Sequence, residues 1–481
     1  MAALCTLATP GVAPAADNPT VMTDLKALAA SYAERRGFNG TVLIARRGKV
    51  LLRASFGNAV LDPRRSSDPS LRYRIGSLTK PFTATLVMQL VEQGRLRLDG
   101  TLGEYLPDLY AGTAAAPVTV AQLLSHQSGM PDVPARYDDP WWHTSAREAW
   151  TPGDYARRWI KSDPIEAPGT KFRYNNNGFF LLGVIVERVT GKSYAENLRQ
   201  RIFARAGMSD SGLFTHATPL TNFAIGYAVA PSGQPKAADV IDPSVSFSAA
   251  GIYSTADDLL RFDRALYGTT ILSGAGRKAM LTARINAYGY GWNIDDYPLP
   301  DGRALPVVSH TGSVPGYQSY YLRSEANQDC VIILDNYWQG LLVAQMGRDL
   351  IEVLNGKPMQ LVRYSLDTLL TPIAYSQGVN AMVVAYERLG DRAKDYDLSE
   401  GAFNTLGYKL LRSGKKPEAI QVLTWETQRY PMSANAFDSL GEAYRAAGMN
   451  AKSIENYERA LALDPQSKSA KAALAELRGA R

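Results

Sequence analysis

The stretch Arg74-Ile75-Gly76-Ser77-Leu78-Thr79-Lys80-Pro81-Phe82 places a serine three residues before a lysine, at the start of an apolar run. On a helix, residues i and i+3 share a face with Cβ atoms about 5–6 Å apart, so Lys80 can reach the Ser77 hydroxyl. A serine hydroxyl is a weak nucleophile until a base takes its proton. A lysine acts as that base only when burial or a nearby cation or polar network lowers its pKa. A helix N-terminus adds backbone N–H groups aimed at developing negative charge. The chemistry this spacing suits is acyl transfer through serine. The competing reading is an ordinary helix start. A second Ser-x-x-Lys, Ser413 to Lys416, falls at the turn of a helical pair, where a solvated corner accounts for it.

Two other stretches carry polar groups of the right kind. "PGTKFRYNNNGF" (168–179) holds Tyr174-Asn175-Asn176, and "VVSHTGSVPGY" (307–317) holds His310-Thr311-Gly312 after a β-rich run. Each has an ordinary alternative. Tyr174 could be a packed loop aromatic, Asn176 a turn residue before Gly178, and His310 a strand histidine held by backbone.

The elements that must position these groups are legible. Phe82, Leu86, Val87, Leu90 and Val91 mark one face of a helix that Gly94 stops, which sets Ser77 at or just before its first turn. Upstream, "TDLKALAASYAERRG" (23–37) reads as an amphipathic helix ended by Gly37. "GTVLIARRGKVLLRASFG" (40–57) reads as a hairpin turning at Arg47-Gly48.

Composition bounds the function. The 481 residues are 46% hydrophobic and 20% charged, with net charge +6, which is globular composition long enough for about three domains. The basic clusters "ARRGK" (45–49) and "DPRR" (62–65) have no interleaved aromatics, so nucleic-acid binding is disfavoured. The apolar run "FFLLGVIV" (179–186) is too short to span a bilayer. Of the two cysteines, Cys5 lies in the leader, so its removal would leave Cys330 without a disulfide partner. Residues 1–20 are apolar and rich in small residues, and Ala13-Pro14-Ala15 is a signal-peptidase-like site, although a positive n-region is missing. A secreted or periplasmic protein is expected, or a cytoplasmic one if the leader is not a signal peptide.

The last hundred residues repeat. "FNTLGYKLLRSGKKPEAIQ" (403–421) is echoed by "FDSLGEAYRAAGMNAKSIE" (437–455), with Phe403 and Phe437, Leu406 and Leu440, Gly414 and Gly448, and Pro431 and Pro465 each separated by the same interval of 34 residues. That period and the aromatic-x2-Leu-Gly-x2-Tyr pattern resemble tetratricopeptide (TPR) repeats. "VNAMVVAYERLG" (379–390) is a candidate irregular first pair and "SAKAALAELRG" (469–479) a capping helix. The expected organisation is a leader (1–20), a catalytic domain (21–355), a linker (356–375) and an all-α TPR domain (376–481), which would supply a protein partner or self-association.

The order Ser-x-x-Lys, Tyr-x-Asn, then His-Thr-Gly resembles the class C β-lactamase and penicillin-binding serine hydrolase family. The segments "VTVAQLLSHQSGMPD" (118–132), "AAGIYSTADDLLRF" (249–262) and "YGYGW" (288–292) resemble that family's connecting text. The resemblance covers roughly residues 25–350. It implies an α+β, β-lactamase/DD-peptidase-like fold: an antiparallel sheet flanked by helices, with the site between sheet and a helical subdomain. It implies Ser77 as the acylated nucleophile, and Lys80 and Tyr174 sharing general base and acid work. Asn176 would position Lys80 and the substrate. His310, Thr311 and Gly312 would border the substrate, with the N–H groups of Ser77 and of Ser313, on an edge strand, forming the oxyanion hole. No metal or organic cofactor is implied, and the partner in the site is a small-molecule or peptide substrate.

His310 departs from the family's β-lactamase and transpeptidase versions, which carry lysine there. Histidine is largely neutral at pH 7. That weakens carboxylate binding and points to the esterase and D-amino-acid peptidase or amidase branches rather than to β-lactamase or DD-carboxypeptidase activity. A Ser-His-Asp hydrolase is disfavoured because no Gly-x-Ser-x-Gly occurs. The four histidines, His126, His143, His216 and His310, show no zinc-ligand spacing. His126 reads as structural, and "YDDPWWHTSAREAW" (137–150) as a loop that either lines a cleft or packs on the core. An inactive TPR scaffold is the remaining alternative, and the presence of Ser77, Lys80 and Tyr174 argues against it.

Overall fold

The computed structural model describes residues 19–132, 139–160, 162–230, 234–239, 241–299, 302–338 and 342–479. The greater part of the leader lies outside the described residues, as do Tyr137 and Asp138 of the aromatic loop. Contacts divide the chain into two compact units. The first comprises Phe38–Ala228 and Ala237–Gln360 with the N-terminal stretch through Ala33. The second comprises the residues from Leu361 onward with the short segments Glu34–Gly37 and Val229–Lys236. Among the described residues no helix is long and apolar enough to cross a membrane.

The first unit is built on a six-stranded antiparallel sheet. Its strands, in chain order, are β1 (Gly40–Arg46), β2 (Lys49–Ser55), β3 (Asn293–Pro298), β4 (Ala304–Val314), β5 (Tyr317–Ser324) and β6 (Asp329–Asp335); their order in the sheet is β3-β4-β5-β6-β1-β2. The expected hairpin joins β1 to β2. Arg47 and Gly48 both take positive φ, 52° and 75°, the twist a two-residue connection needs. The helices that concern the argument are α1 (Pro19–Arg36), α2 (Thr79–Glu92), α3 (Asn176–Thr190), α4 (Ala256–Tyr267) and α5 (Leu342–Leu354).

Both faces of the sheet are covered, which is why β1 and β6 are buried along their whole length. Leu43, Ala45, Ile332 and Leu334 share one core with Phe262 and Leu266 of α4 and Phe82 of α2. On the other face α5 comes so close that a Cβ on Gly347 would meet the Tyr320 ring and Ile333.

α2 differs from its expected one-sided character. Its residues from Thr79 to Leu90 are all buried. Most of its polar groups find internal partners: Thr83 Oγ1 donates to Ser248 O at 2.7 Å, Thr85 Oγ1 to Pro81 O at 2.8 Å and Gln89 Nε2 to Ile271 O at 2.6 Å, while Gln89 Oε1 is buried without one. Burial of unpartnered polar groups would cost about 1–3 kcal/mol each. The helix that carries Lys80 is thus enclosed on all sides.

The second unit is helical: α6 (Leu366–Ser376), α7 (Gly378–Glu387), α8 (Glu400–Arg412), α9 (Lys416–Arg429), α10 (Ala434–Ala446), α11 (Asn450–Leu463) and α12 (Lys468–Gly479). The stretch expected as a linker carries α6, whose Leu366, Leu370 and Ala374 are buried in this unit's core with Phe403 and Leu406. The starts of α8, α10 and α12, and of α9 and α11, recur at the interval of the sequence repeat. Gly407 and Gly441 occupy equivalent places, where a Cβ would meet Leu423 of α9 and Tyr457 of α11. Ser413 lies just past α8, its hydroxyl spent on Lys409 O at 2.8 Å.

Candidate active site

Ser77 sits on a single 3₁₀ turn, Gly76–Leu78, that runs into α2. The turn is pinned by three hydrogen bonds from two residues, Ile252 and Ser319. Ile75 N donates to Ile252 O at 3.0 Å, Ser319 Oγ donates to Ile75 O at 2.7 Å, and Thr79 Oγ1 accepts from Ile252 N at 3.1 Å. Gly76 has φ +53°, and a Cβ there would lie 2.5 Å from Ser313 N. Glycine is needed for both reasons, and its absence of side chain brings the backbone of Ser313 against the Ser77 turn.

Ser313 was expected on an edge strand. β4 is instead second in the sheet. Its pairing with β3 covers Ala304 to Ser309 only, while its pairing with β5 continues to Val314. The half-strand from His310 to Val314 has one backbone edge beyond the end of β3, and that end meets the Ser77 turn. The edge is local, a matter of strand length that residue patterns do not reveal.

Lys80 is fully buried. Its Nζ donates to Ser77 Oγ at 2.9 Å, Asn176 Oδ1 at 2.9 Å and Ala249 O at 3.0 Å. Two of these partners, the amide and peptide oxygens, can only accept. A neutral amine has two N–H bonds and one lone pair. With both N–H bonds satisfied by Asn176 and Ala249, the lone pair is left facing the Ser77 hydroxyl. Burial lowers the Lys80 pKa from 10.5 to about 7, with Asp132 acting in the opposite sense. A substantial neutral fraction then exists near neutral pH, as a general base requires. The Tyr174 ring, partly exposed, has its centroid 4.8 Å from Lys80 Nζ, within cation–π range when the amine is charged.

Tyr174 and Asn176 owe their places to their neighbours. Asn175 is the N-cap of α3: its Oδ1 accepts from Gly178 N at 2.7 Å and its Nδ2 donates to Met130 O at 2.6 Å. The turn chemistry that was the alternative reading for Asn176 is done by Asn175 instead. His126, buried at φ +57°, accepts the Asn175 N–H on Nδ1 at 3.0 Å and packs its ring 4.3 Å from that of Tyr174. Burial first, then Lys80 and His310, hold His126 well below the usual histidine range.

His310 is buried and neutral. Burial, with Lys80, lowers its pKa to about 3. Nδ1 lies 2.6 Å from Thr311 O, a pure acceptor, so Nδ1 carries the proton; Nε2 then accepts from Tyr288 OH at 3.0 Å. Both ring nitrogens are committed. Of the strand residues expected to border the substrate, Thr311 and Ser313 line the cleft, whereas His310, bonded inward at both nitrogens, and Gly312, packed against Ile75 O and Ser319 Oγ, do not.

The cleft itself has a volume of about 300 Å³ and is open at Ser77, Tyr174 and Asn176. Trp141, Trp142, Tyr155, Phe180, Ile241 and Val245 make one side of it apolar. The aromatic loop thus does both things considered for it: Trp142 and Trp141 border the cleft while Trp141 also packs edge-on to Trp159 at 6.0 Å. Sequence reading did not single out Asp132, Ala249 or Tyr288. All three lie in the connecting segments that carry the family resemblance, but a carboxylate in "GMPD", a main-chain carbonyl and a core tyrosine have no spacing signature.

Comparison with known proteins bears on the fold and the family. A family model described as Beta-lactamase matches residues 25–354. The chain is 30% identical over 330 residues to Penicillin-binding protein 4* of Bacillus subtilis (strain 168), covering 65% of this chain and 71% of that protein. Among solved structures, a penicillin binding protein from Bacillus halodurans superposes with TM-score 0.59 at 28% identity, over 70% of this chain and 99% of the other. The D-amino acid amidase from Ochrobactrum anthropi SV3, complexed with L-phenylalanine amide, superposes with TM-score 0.56 at 25% identity, over 70% and 97%. With Ser77, Lys80, Tyr174 and Asn176 gathered beside the open end of β4 in this fold, the chain belongs to the beta-lactamase family of penicillin-binding-protein-like serine hydrolases.

Proposed function

We propose that the protein hydrolyses esters or D-amino-acid-containing amides and peptides through an acyl-Ser77 intermediate. The observation that carries this reading is the Lys80 amine, whose two N–H acceptors leave its lone pair on Ser77 Oγ. Lys80 takes the serine proton as Oγ attacks the carbonyl. Tyr174 and Lys80 then return a proton to the leaving group, and water deacylates the enzyme by the reverse path. The N–H groups of Ser77 and Ser313 receive the developing oxyanion. Asn176 holds Lys80, and Thr311 borders the acyl group.

Substrate preference follows from the wall and from His310. An imidazole that is neutral and bonded at both nitrogens gives no cation to a substrate carboxylate. The apolar side suits an uncharged acyl or aminoacyl group. β-Lactamase or DD-carboxypeptidase activity is the second reading, favoured by the penicillin-binding relatives.

The test uses a short p-nitrophenyl ester, a D-alanyl p-nitroanilide and a chromogenic cephalosporin, with wild type beside Ser77→Ala. Ester or D-amide turnover lost in the variant, with little cephalosporin turnover, is expected. Rapid cephalosporin turnover would transfer the assignment to the second reading. If no substrate turns over and a fluorophosphonate does not label Ser77, the protein is a scaffold.

The helical unit is read as a TPR module, supported by helix starts that recur with the sequence repeat and by Tyr408 OH donating to Glu442 Oε2, its counterpart one repeat on, at 2.7 Å. A peptide or protein partner, or self-association, is its expected ligand. Deletion of residues 375–481 should change oligomeric state or pull-down partners; unchanged behaviour rejects the role. The leader is read as directing secretion or periplasmic export, and N-terminal sequencing that finds Met1 on the mature protein rejects it.

A further inference from the structure

We propose that Asp132 is a positioning residue of this site, setting which end of the Asn176 side-chain amide meets Lys80. The inference rests on the acyl-Ser77 reading above. Asp132 Oδ1 accepts the backbone N–H groups of Asn176 and Asn177, at 2.9 and 3.1 Å, and Oδ2 accepts from Asn176 Nδ2 at 2.9 Å. These are first-turn donors of α3 that lack helical partners. An amide has one donor end and one acceptor end. With Nδ2 held on the carboxylate, Oδ1 must face Lys80, where it accepts at 2.9 Å. The carboxylate, Asn176, Lys80 and Ser77 thus form one directed chain, and reversing any member reverses the next.

Asp132→Asn makes the logic visible. The new Oδ1 keeps both backbone N–H bonds, but its NH₂ confronts the NH₂ of Asn176. The clash is relieved when the Asn176 amide turns over, and its NH₂ then faces Lys80. The ionisable groups around Lys80 are Asp132, Tyr174, His126 and His310, with Tyr288 behind His310. Of these Asp132 is the carboxylate. Burial pushes its pKa up, while the three N–H bonds and Lys80 oppose that rise. Losing its charge and losing an acceptor both disfavour the ammonium form of Lys80. The transposed pair, Asp132→Asn with Asn176→Asp, satisfies every hydrogen bond again but puts the charge directly on Lys80, which favours the ammonium form.

The experiment measures the rate of fluorophosphonate labelling of Ser77 against pH for wild type, Asp132→Asn, the transposed pair and Ser77→Ala, with ester turnover alongside and circular dichroism as the folding control. Asp132→Asn is expected to label about 10–100-fold more slowly at its plateau, as for loss of a hydrogen bond to a charged group. Its acid limb should lie about one pH unit lower than wild type, and that of the transposed pair about one unit higher. A merely structural role would lower the plateau and leave the limb in place. Should Asp132→Asn fail to fold, the limb of the transposed pair decides. Limbs unmoved, or moved otherwise than in these two directions, overturn the role of Asp132, as does an unfolded transposed pair. Turnover persisting in Ser77→Ala overturns the acyl-serine reading instead, so the two failures are distinct.

Discussion

Gly312 of β4 and Ile75, two residues before Ser77, are in backbone contact: a Cβ on Gly312 would fall inside the van der Waals envelopes of Ile75 O and Ser319 Oγ. Ser319 Oγ is the group that holds Ile75 O. This contact, with that of Gly76 on Ser313 N, fixes the strand against the nucleophile turn. Gly312→Ala should push the two apart and lower turnover of a p-nitrophenyl ester by about 100-fold, the usual consequence of a 1 Å misplacement. Near-wild-type turnover in a folded Gly312→Ala protein would refute the dependence on this contact.

The pH profile should have an acid limb near the Lys80 pKa of about 7, because only the neutral amine takes the Ser77 proton. kcat/KM is expected to rise with pH through that value. Lys80→Arg keeps the positive charge but has no accessible neutral form, so it should be inactive across pH 5–9 while remaining folded. An active Lys80→Arg enzyme would remove Lys80 as the base.

Glu426 of α9 makes the helical unit pH-sensitive. It is fully buried, neither carboxylate oxygen has a hydrogen-bond partner, and burial with the nearby Glu400 raises its pKa from 4.5 to about 8. Below about 4.5 both folded and unfolded chains hold the proton. Between the two values the folded state alone holds it, so stability falls as pH rises, and above about 8 the full penalty stands. Glu426→Gln should therefore raise the Tm of the helical unit at pH 8 more than at pH 4.5. An equal shift at both pH values would show that Glu426 does not titrate as described.

Gly407 and Gly441 test how closely the helical pairs must pack. A Cβ at 407 would lie 2.5 Å from Leu423 Cδ2, whereas one at 441 would lie 3.0 Å from the Tyr457 ring edge. Alanine gains up to about 1 kcal/mol over glycine inside a helix, and overpacking costs about 1–3 kcal/mol. Gly407→Ala should be net destabilising by about 1–2 kcal/mol in urea unfolding, and Gly441→Ala nearly neutral. The reverse ranking would contradict the packing distances.

Residue types and short spacings by themselves determined much of this protein. Ser77 and Lys80 are three apart, so one helical turn sets their contact. The hairpin at Arg47-Gly48, the stop at Gly94 and the repeat of the C-terminal region are likewise local, and periodicity reports them. The order of Ser-x-x-Lys, Tyr-x-Asn and His-Thr-Gly was enough to suggest the family, because three weak motifs in one order are jointly specific.

Tertiary structure alone decided how those pieces act. The Lys80 pKa depends on complete burial, and the direction of its amine depends on Ala249, 169 residues away in the chain. The orientation of Asn176 depends on Asp132, 44 residues earlier. His310 is silenced by Tyr288, and the open end of β4 exists because β3 stops at the register of Ser309. Burial, hydrogen-bond direction and strand length are set by what folds against a residue, not by the residue itself. The apolar wall of Trp141, Trp142, Tyr155 and Phe180 is of the same kind: three segments of chain meet there, and no single segment carries its shape.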